Sequence, residues 1–125
     1  MEHRTITFEL DDFTLEYLST AMWADTPEDF DKSQWDDPRD SIGYESLMRA
    51  YLDCQVFQRQ ISRLDTSKHD DSQMAHDFWL TRQGHGAGFW DGDYKEPLAT
   101  ELTKLAKWHG TRDLYIGDNG KVSIG

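Results

Sequence analysis

The chain has one cysteine, three prolines and few cations, and no apolar run in its 125 residues approaches the roughly 18 needed to cross a bilayer as a helix. Each scarcity excludes something. The lone Cys54 can form neither an intramolecular disulfide nor a thiolate cage for a metal, which points to a reducing, cytoplasmic setting. The opening MEHRTITFEL has no basic segment followed by a long apolar stretch, so neither export nor membrane insertion is expected. With 13 Lys and Arg against 24 Asp and Glu, the net charge of -11 argues against direct binding to duplex DNA, whose phosphates are held by cations.

What is present in quantity is aromatic: five Trp, five Tyr and six Phe supply enough bulky apolar surface for a core. At 125 residues that core belongs to a single domain, since two halves would each bury too little. The acid is unevenly placed. Residues 1–40 carry 12 acidic and 3 basic side chains, residues 41–70 carry 4 of each, and residues 71–125 carry 8 and 6.

Residues 4–10, RTITFEL, alternate apolar and polar as a half-buried strand or extended lead-in does. From Asp11 or Asp12, the stripe Phe13, Tyr17, Leu18, Ala21 and Met22 predicts a helix to about Trp23, with aspartates at its favourable end. An Asp-rich loop with Pro27 and Pro38 follows. A long helix is expected over 41–64, capped by Asp40 or Ser41, on the spacing of Leu47, Ala50, Cys54, Phe57, Ile61 and Leu64. The segment MAHDFWLTR is expected to begin with a helical turn and then extend, so that QGHG turns between two aromatic-rich strands, HDFWLTR and AGFWDGD. Pro97 opens another helix that Gly110 stops. Asp118-Asn119-Gly120 between Leu114-Tyr115-Ile116 and Val122-Ser123-Ile124 signals a hairpin. The expected fold class is α+β: a helical N-terminal half (1–40 and 41–64), then a ββαββ unit over 76–125 whose small antiparallel sheet the helices cover.

Chemistry-bearing clusters are few. The run Gly84-His85-Gly86-Ala87-Gly88 has neither GxGxxG nor a GK[ST] ending, and a turn accounts for it better than phosphate binding. His76, Asp77, His85, Asp91 and Asp93 are the residue types of a metal or acid-base site. On a hairpin, though, His76 and Asp91 approach each other while His85 sits at the far tip, so hydrogen bonds orienting His76 and Arg82 are expected instead. Cys54 lies on the apolar stripe as a buried thiol, and no GxSxG nucleophile elbow occurs. No catalytic residue, metal or cofactor is assigned. Trp79 or Trp90, as exposed members of the pairs Phe78-Trp79 and Phe89-Trp90, offer stacking faces for single-stranded nucleic acid, although cations are sparse beside them.

The run HDFWLTRQGHGAGFWD at residues 76–91 resembles a motif of a widespread family of small, poorly characterised bacteriophage and prophage proteins. The family pattern continues with a helix like LATELTKLAKWHG and closes on DLY-x-GD-x-G, matched at residues 113–120. Gln83 stands where Asn is common and Gly92 where Arg is common. The resemblance covers residues 76–120, and the long helix loosely. It implies an origin in a phage or mobile element and brings no catalytic mechanism.

The functional expectation therefore rests on the acidic third. Asp25, Glu28, Asp29, Asp31, Asp36, Asp37 and Asp40 are interleaved with Phe30 and Trp35, as carboxylates that imitate phosphates around an aromatic anchor would be. The expected activity is binding to a bacterial host protein or complex with a basic surface, as an inhibitor of anti-CRISPR or anti-restriction type, by DNA mimicry. Such a protein needs no cofactor. A small-ligand binder or enzyme centred on residues 76–91, and a single-strand binder, are the alternatives. The oligomeric state stays open.

Overall fold

The computed structural model describes residues 9–31 and 37–125. The strand predicted over 4–10 falls mostly outside that range; Glu9 and Leu10 have no regular structure. Trp35 and Asp36 lie outside it too.

The first helix, α1 (Asp12–Asp25), begins where its aspartates predict. Asp11 caps it, accepting from the Thr14 amide at 3.2 Å and from the Thr14 hydroxyl. The other carboxylate oxygen takes hydrogen bonds from Gln55 and Gln58 at 3.2 and 3.0 Å, so the cap is also a tie to the long helix. Burial disfavours the charged form of Asp11, but donation from Gln58 and Thr14 outweighs it and holds the carboxyl below its usual value. The predicted stripe, Phe13, Tyr17, Leu18, Ala21 and Met22, is buried.

A one-turn helix, α2 (Pro38–Ser41), with Pro at its start, precedes the long helix α3 (Tyr44–Ile61). The long helix thus starts later than the predicted residue 41. The cause is local: Ile42 and Gly43 are drawn into contact with the C-terminal strand, Ile42 bridging Val122 and the Gly43 amide donating to the Val122 carbonyl at 3.0 Å.

The largest departure from the sequence reading is at HDFWLTR. It is not a strand but most of a helix, α4 (Asp71–Gln83), and no hairpin forms over residues 76–91. Asp70 caps its start by accepting from the Gln73 amide at 2.7 Å. Its end is a Schellman turn: Gly84 adopts φ 77°, its amide donating to Thr81 and that of His85 to Leu80, at 3.1 and 3.0 Å. A glycine at positive φ serves a hairpin turn and a helix stop equally, and here it stops a helix. Successive aromatics are no obstacle, because α4 runs through the interior and both Phe78 and Trp79 are fully buried.

Helix α5 (Leu98–Trp108) follows Pro97 as predicted, with Gly110 at φ 75° past its end. The predicted C-terminal hairpin is present: β1 (Leu114–Ile116) pairs antiparallel with β2 (Val122–Ile124), Tyr115 opposite Ser123. The fold class is therefore α+β, helices with a small antiparallel sheet, but the second half reads ααββ rather than ββαββ. The core centres on Phe57 of α3 and Phe78 of α4, stacked at 4.0 Å with planes 4° apart, flanked by Phe13, Tyr17 and Phe89. No helix among the described residues is long and apolar enough to cross a membrane.

Candidate functional site

Helix α4 turns the motif residues inward. Arg82, the one cation fully buried among the salt-bridged side chains, spends its guanidinium on the interior. Its Nε donates to the Gly110 carbonyl at 2.7 Å and one terminal nitrogen to the His109 carbonyl at 2.7 Å. The other reaches the Tyr17 hydroxyl at 2.9 Å and Asp53 at 2.8 Å. Arg112 meets the same Asp53 oxygen at 3.0 Å. Arg82 thereby ties α1, α3, α4 and the end of α5 to one point. Burial, followed by the nearby Arg82 charge, lowers the pKa of His109.

The glycine-rich stretch after α4 folds back along it. Thr81 accepts from the Phe89 amide at 3.0 Å, Asp91 accepts from the Gly88 amide at 3.2 Å, and Phe89 enters the core. His76 does not meet Asp91: it packs on Trp23, ring centroids 5.7 Å apart, with Nδ1 3.0 Å from the Thr20 hydroxyl. The approach expected across a hairpin is lost because His76 belongs to a helix facing α1. Among the described residues no group of three or more His, Cys, Asp or Glu side chains is placed to hold a metal. Cys54 is buried, and that burial pushes its thiol pKa up, away from nucleophilic use.

Trp79 is fully buried, its indole N–H donated to Asp25 at 2.6 Å, so it offers no face for a base. His85 meets the same Asp25 oxygen at 2.9 Å. The first acid of the expected recognition surface is thus a clamp that ties the end of α1 to α4 and to the GHG turn after it. Asp37 is likewise engaged locally, with Arg39, whose hydrogen bonds pull its carboxyl down to about 2. Phe30 is half-buried against the core. Glu28, Asp29, Asp31 and Asp40 are exposed.

One residue matters that the sequence reading did not single out, and one that it did now stands on a different element. Trp23 is 65 % exposed at the end of α1, immediately before the acidic stretch; lying off the helix's apolar stripe was the available signal. Trp90 is 51 % exposed, as one member of its pair was expected to be, but on an irregular loop rather than a strand.

Asp77 is buried, with the Tyr94 hydroxyl donating to it at 2.9 Å. Desolvation raises its pKa above 3.8 despite that hydrogen bond, and it raises that of Tyr94. A raised carboxyl favours the folded state when protonated; that contribution is complete below the unfolded value and is lost as pH climbs through the folded one. Asp77→Asn, which keeps an acceptor for Tyr94, is therefore expected to raise Tm at neutral pH, with the gap to the parent closing as the pH is taken below about 4. A gap that widens on acidification contradicts this account.

A cleft of about 560 Å³ lies between the start of α3 and the hairpin, lined by Tyr44, Arg49, Tyr115, Asn119 and Ser123. A smaller one of about 270 Å³ is lined by Asp65, Lys68, His69, Asp93, Lys95 and Glu96. Neither includes a residue of the 76–91 motif. No protein-family model matches the chain, and no curated protein or solved structure matches it either.

Proposed function

We propose that this is a phage- or prophage-encoded acidic protein that works by protein binding, docking its N-terminal acidic surface on a basic face of a bacterial complex that handles nucleic acid or defends the cell, and inhibiting it. The observation that carries the reading is the pairing of an exposed Trp23 with the exposed carboxylates of Glu28 and Asp29 within the next six residues. A large aromatic left open at the end of an otherwise well-buried helix, followed along the chain by exposed carboxylates, has the composition of an interface centre. The motif at residues 76–91 supports the phage origin by resemblance, while its side chains are occupied in building the scaffold. Imitation of DNA follows if Glu28, Asp29, Asp31 and Asp40 take the places of phosphates.

The test is affinity capture from bacterial lysate at low and at raised salt, using the parent chain, Trp23→Ala, and the triple substitution Glu28→Gln, Asp29→Asn, Asp40→Asn. The expected result is a nuclease or other nucleic-acid-handling partner that salt releases. Trp23→Ala is expected to cost about 2 kcal/mol of affinity, the size of a hot-spot truncation. Partners that persist unchanged through salt and all substitutions rule the reading out. The ligand-site alternative loses the hairpin it was centred on, and the stacking alternative keeps only Trp90.

A further inference from the structure

The sheet has two outer edges, and they are treated differently. On β2 the outward groups are occupied: the Val122 carbonyl accepts from Gly43, the Ile124 amide donates to the Ser46 hydroxyl at 2.8 Å, and the Ile124 carbonyl accepts from Arg49 at 3.0 Å. On β1 the ladder bonds run through Asp113, Tyr115 and Gly117, the first of these in a mutual exchange with Gly125. Residues 112, 114 and 116 therefore point their amides and carbonyls outward. At Arg112 the Gln83 side chain acts as a substitute strand, donating to the carbonyl and accepting from the amide, both at 2.7 Å. The backbone groups of Leu114 and Ile116 have no hydrogen-bond partner among the described residues. Beside them Tyr115 is 51 % and Ile116 37 % exposed.

We infer that this open edge pairs with the same edge of a second copy of the chain, forming a continuous four-stranded antiparallel sheet across a two-fold axis at Tyr115. The register selects that occupant. Groups free at two positions, one residue apart on either side of Tyr115, are self-complementary: Leu114 of each copy exchanges both hydrogen bonds with Ile116 of the other. Tyr115 then faces its own counterpart as a close, non-hydrogen-bonded pair, the geometry in which aromatics interact across strands. At both ends Arg112, whose guanidinium is held by Asp53 of its own chain, falls opposite Asp118. Pairing need not continue past that point, since Gln83 fills the edge at Arg112 and the opposing chain turns away through the Gly117–Gly120 bond. The inference concerns a surface separate from the acidic one.

Sedimentation velocity of the full chain, over a range of protein and NaCl concentrations, reads it out. Because each copy carries a net charge of -11, dimerisation is expected to strengthen with salt, opposite to capture of a basic partner, so the two proposals fail separately. Ile116→Pro removes an outward amide and no ladder bond, and is expected to weaken the dimer by at least about tenfold, or ~1.4 kcal/mol. Tyr115→Asp, which sets like charges face to face without touching the backbone, is expected to do the same if the proline disturbs the hairpin. Tyr115→Cys is expected to cross-link to its copy on mild oxidation, because close pairs of this kind stand about 4.5 Å apart at Cα. A chain that is monomeric throughout, or a dimer that Ile116→Pro and Tyr115→Asp leave intact, overturns the inference, as does a monomer that takes up an unrelated extended peptide at β1.

Discussion

Replacing Arg82 with Met is expected to destabilise the protein by about 3–5 kcal/mol, the range found when one partner of a buried ionic network is removed. That is a large share of the ~5–15 kcal/mol by which a domain is stable. The size follows from what the substitution leaves behind. Methionine fills much of the volume and keeps the contact with the Phe78 ring, over which the guanidinium lies at 5.5 Å. It cannot donate, so the Tyr17 hydroxyl and the carbonyls of His109 and Gly110 lose their donor inside the protein. Asp53 retains Arg112, which limits the loss on that side. Arg82→Lys should recover only part, because a single ammonium cannot reach acceptors arranged for a planar fork. Urea unfolding measures both, and a loss below about 1 kcal/mol for Arg82→Met would sink the account. A second readout follows from charge. Burial and then Arg82 hold His109 down, so in Arg82→Met its imidazole should titrate higher, as followed by NMR, if the fold persists.

The reason this residue was legible only as an orienting side chain is the reason α4 was misread. Sequence periodicity reports a boundary between core and solvent, so it found α1, which has one wet face, while Pro97, Gly110 and the Asp118-Asn119-Gly120 turn marked α5 and the C-terminal hairpin. Helix α4 buries Met74, Ala75, Asp77, Phe78, Trp79, Leu80, Thr81 and Arg82 in near succession, and a helix buried all round has no periodic face to detect. The late start of α3 was invisible for another reason: it depends on Gly43 and Ile42 meeting Val122, some 80 residues along the chain. The acidic stretch shows the matching limit for the proposed interaction surface. Composition located it, yet composition could not tell that Asp25 is taken by Trp79 and His85, or Asp37 by Arg39, while Trp23 is left open beside them.

Gly88→Ala is expected to cost about 2–4 kcal/mol, from one close contact added to a backbone at φ 155° that L residues rarely adopt. The interior packs the Gly88 backbone so closely on α4 that an added Cβ would overlap the Thr81 hydroxyl. That hydroxyl cannot simply rotate aside, since it accepts from the Phe89 amide at 3.0 Å in a buried position, and turning away leaves the amide orphaned. The clash and the hydrogen bond are therefore one structural unit, and a double-mutant cycle should show it. Thr81→Ala alone removes the acceptor and is expected to cost about 1–3 kcal/mol, the penalty of an unsatisfied buried donor. Combined with Gly88→Ala it also removes the obstructing atom, so the double variant should be less unstable than the two single losses added together, by at least about 0.5 kcal/mol. Gly84→Ala provides the contrast: nothing lies near its Cβ, and its cost comes from φ 77° alone, with no coupling to Thr81. Additive energies for Gly88 and Thr81 would mean that the glycine is required for its backbone angle rather than for the approach of the loop to α4.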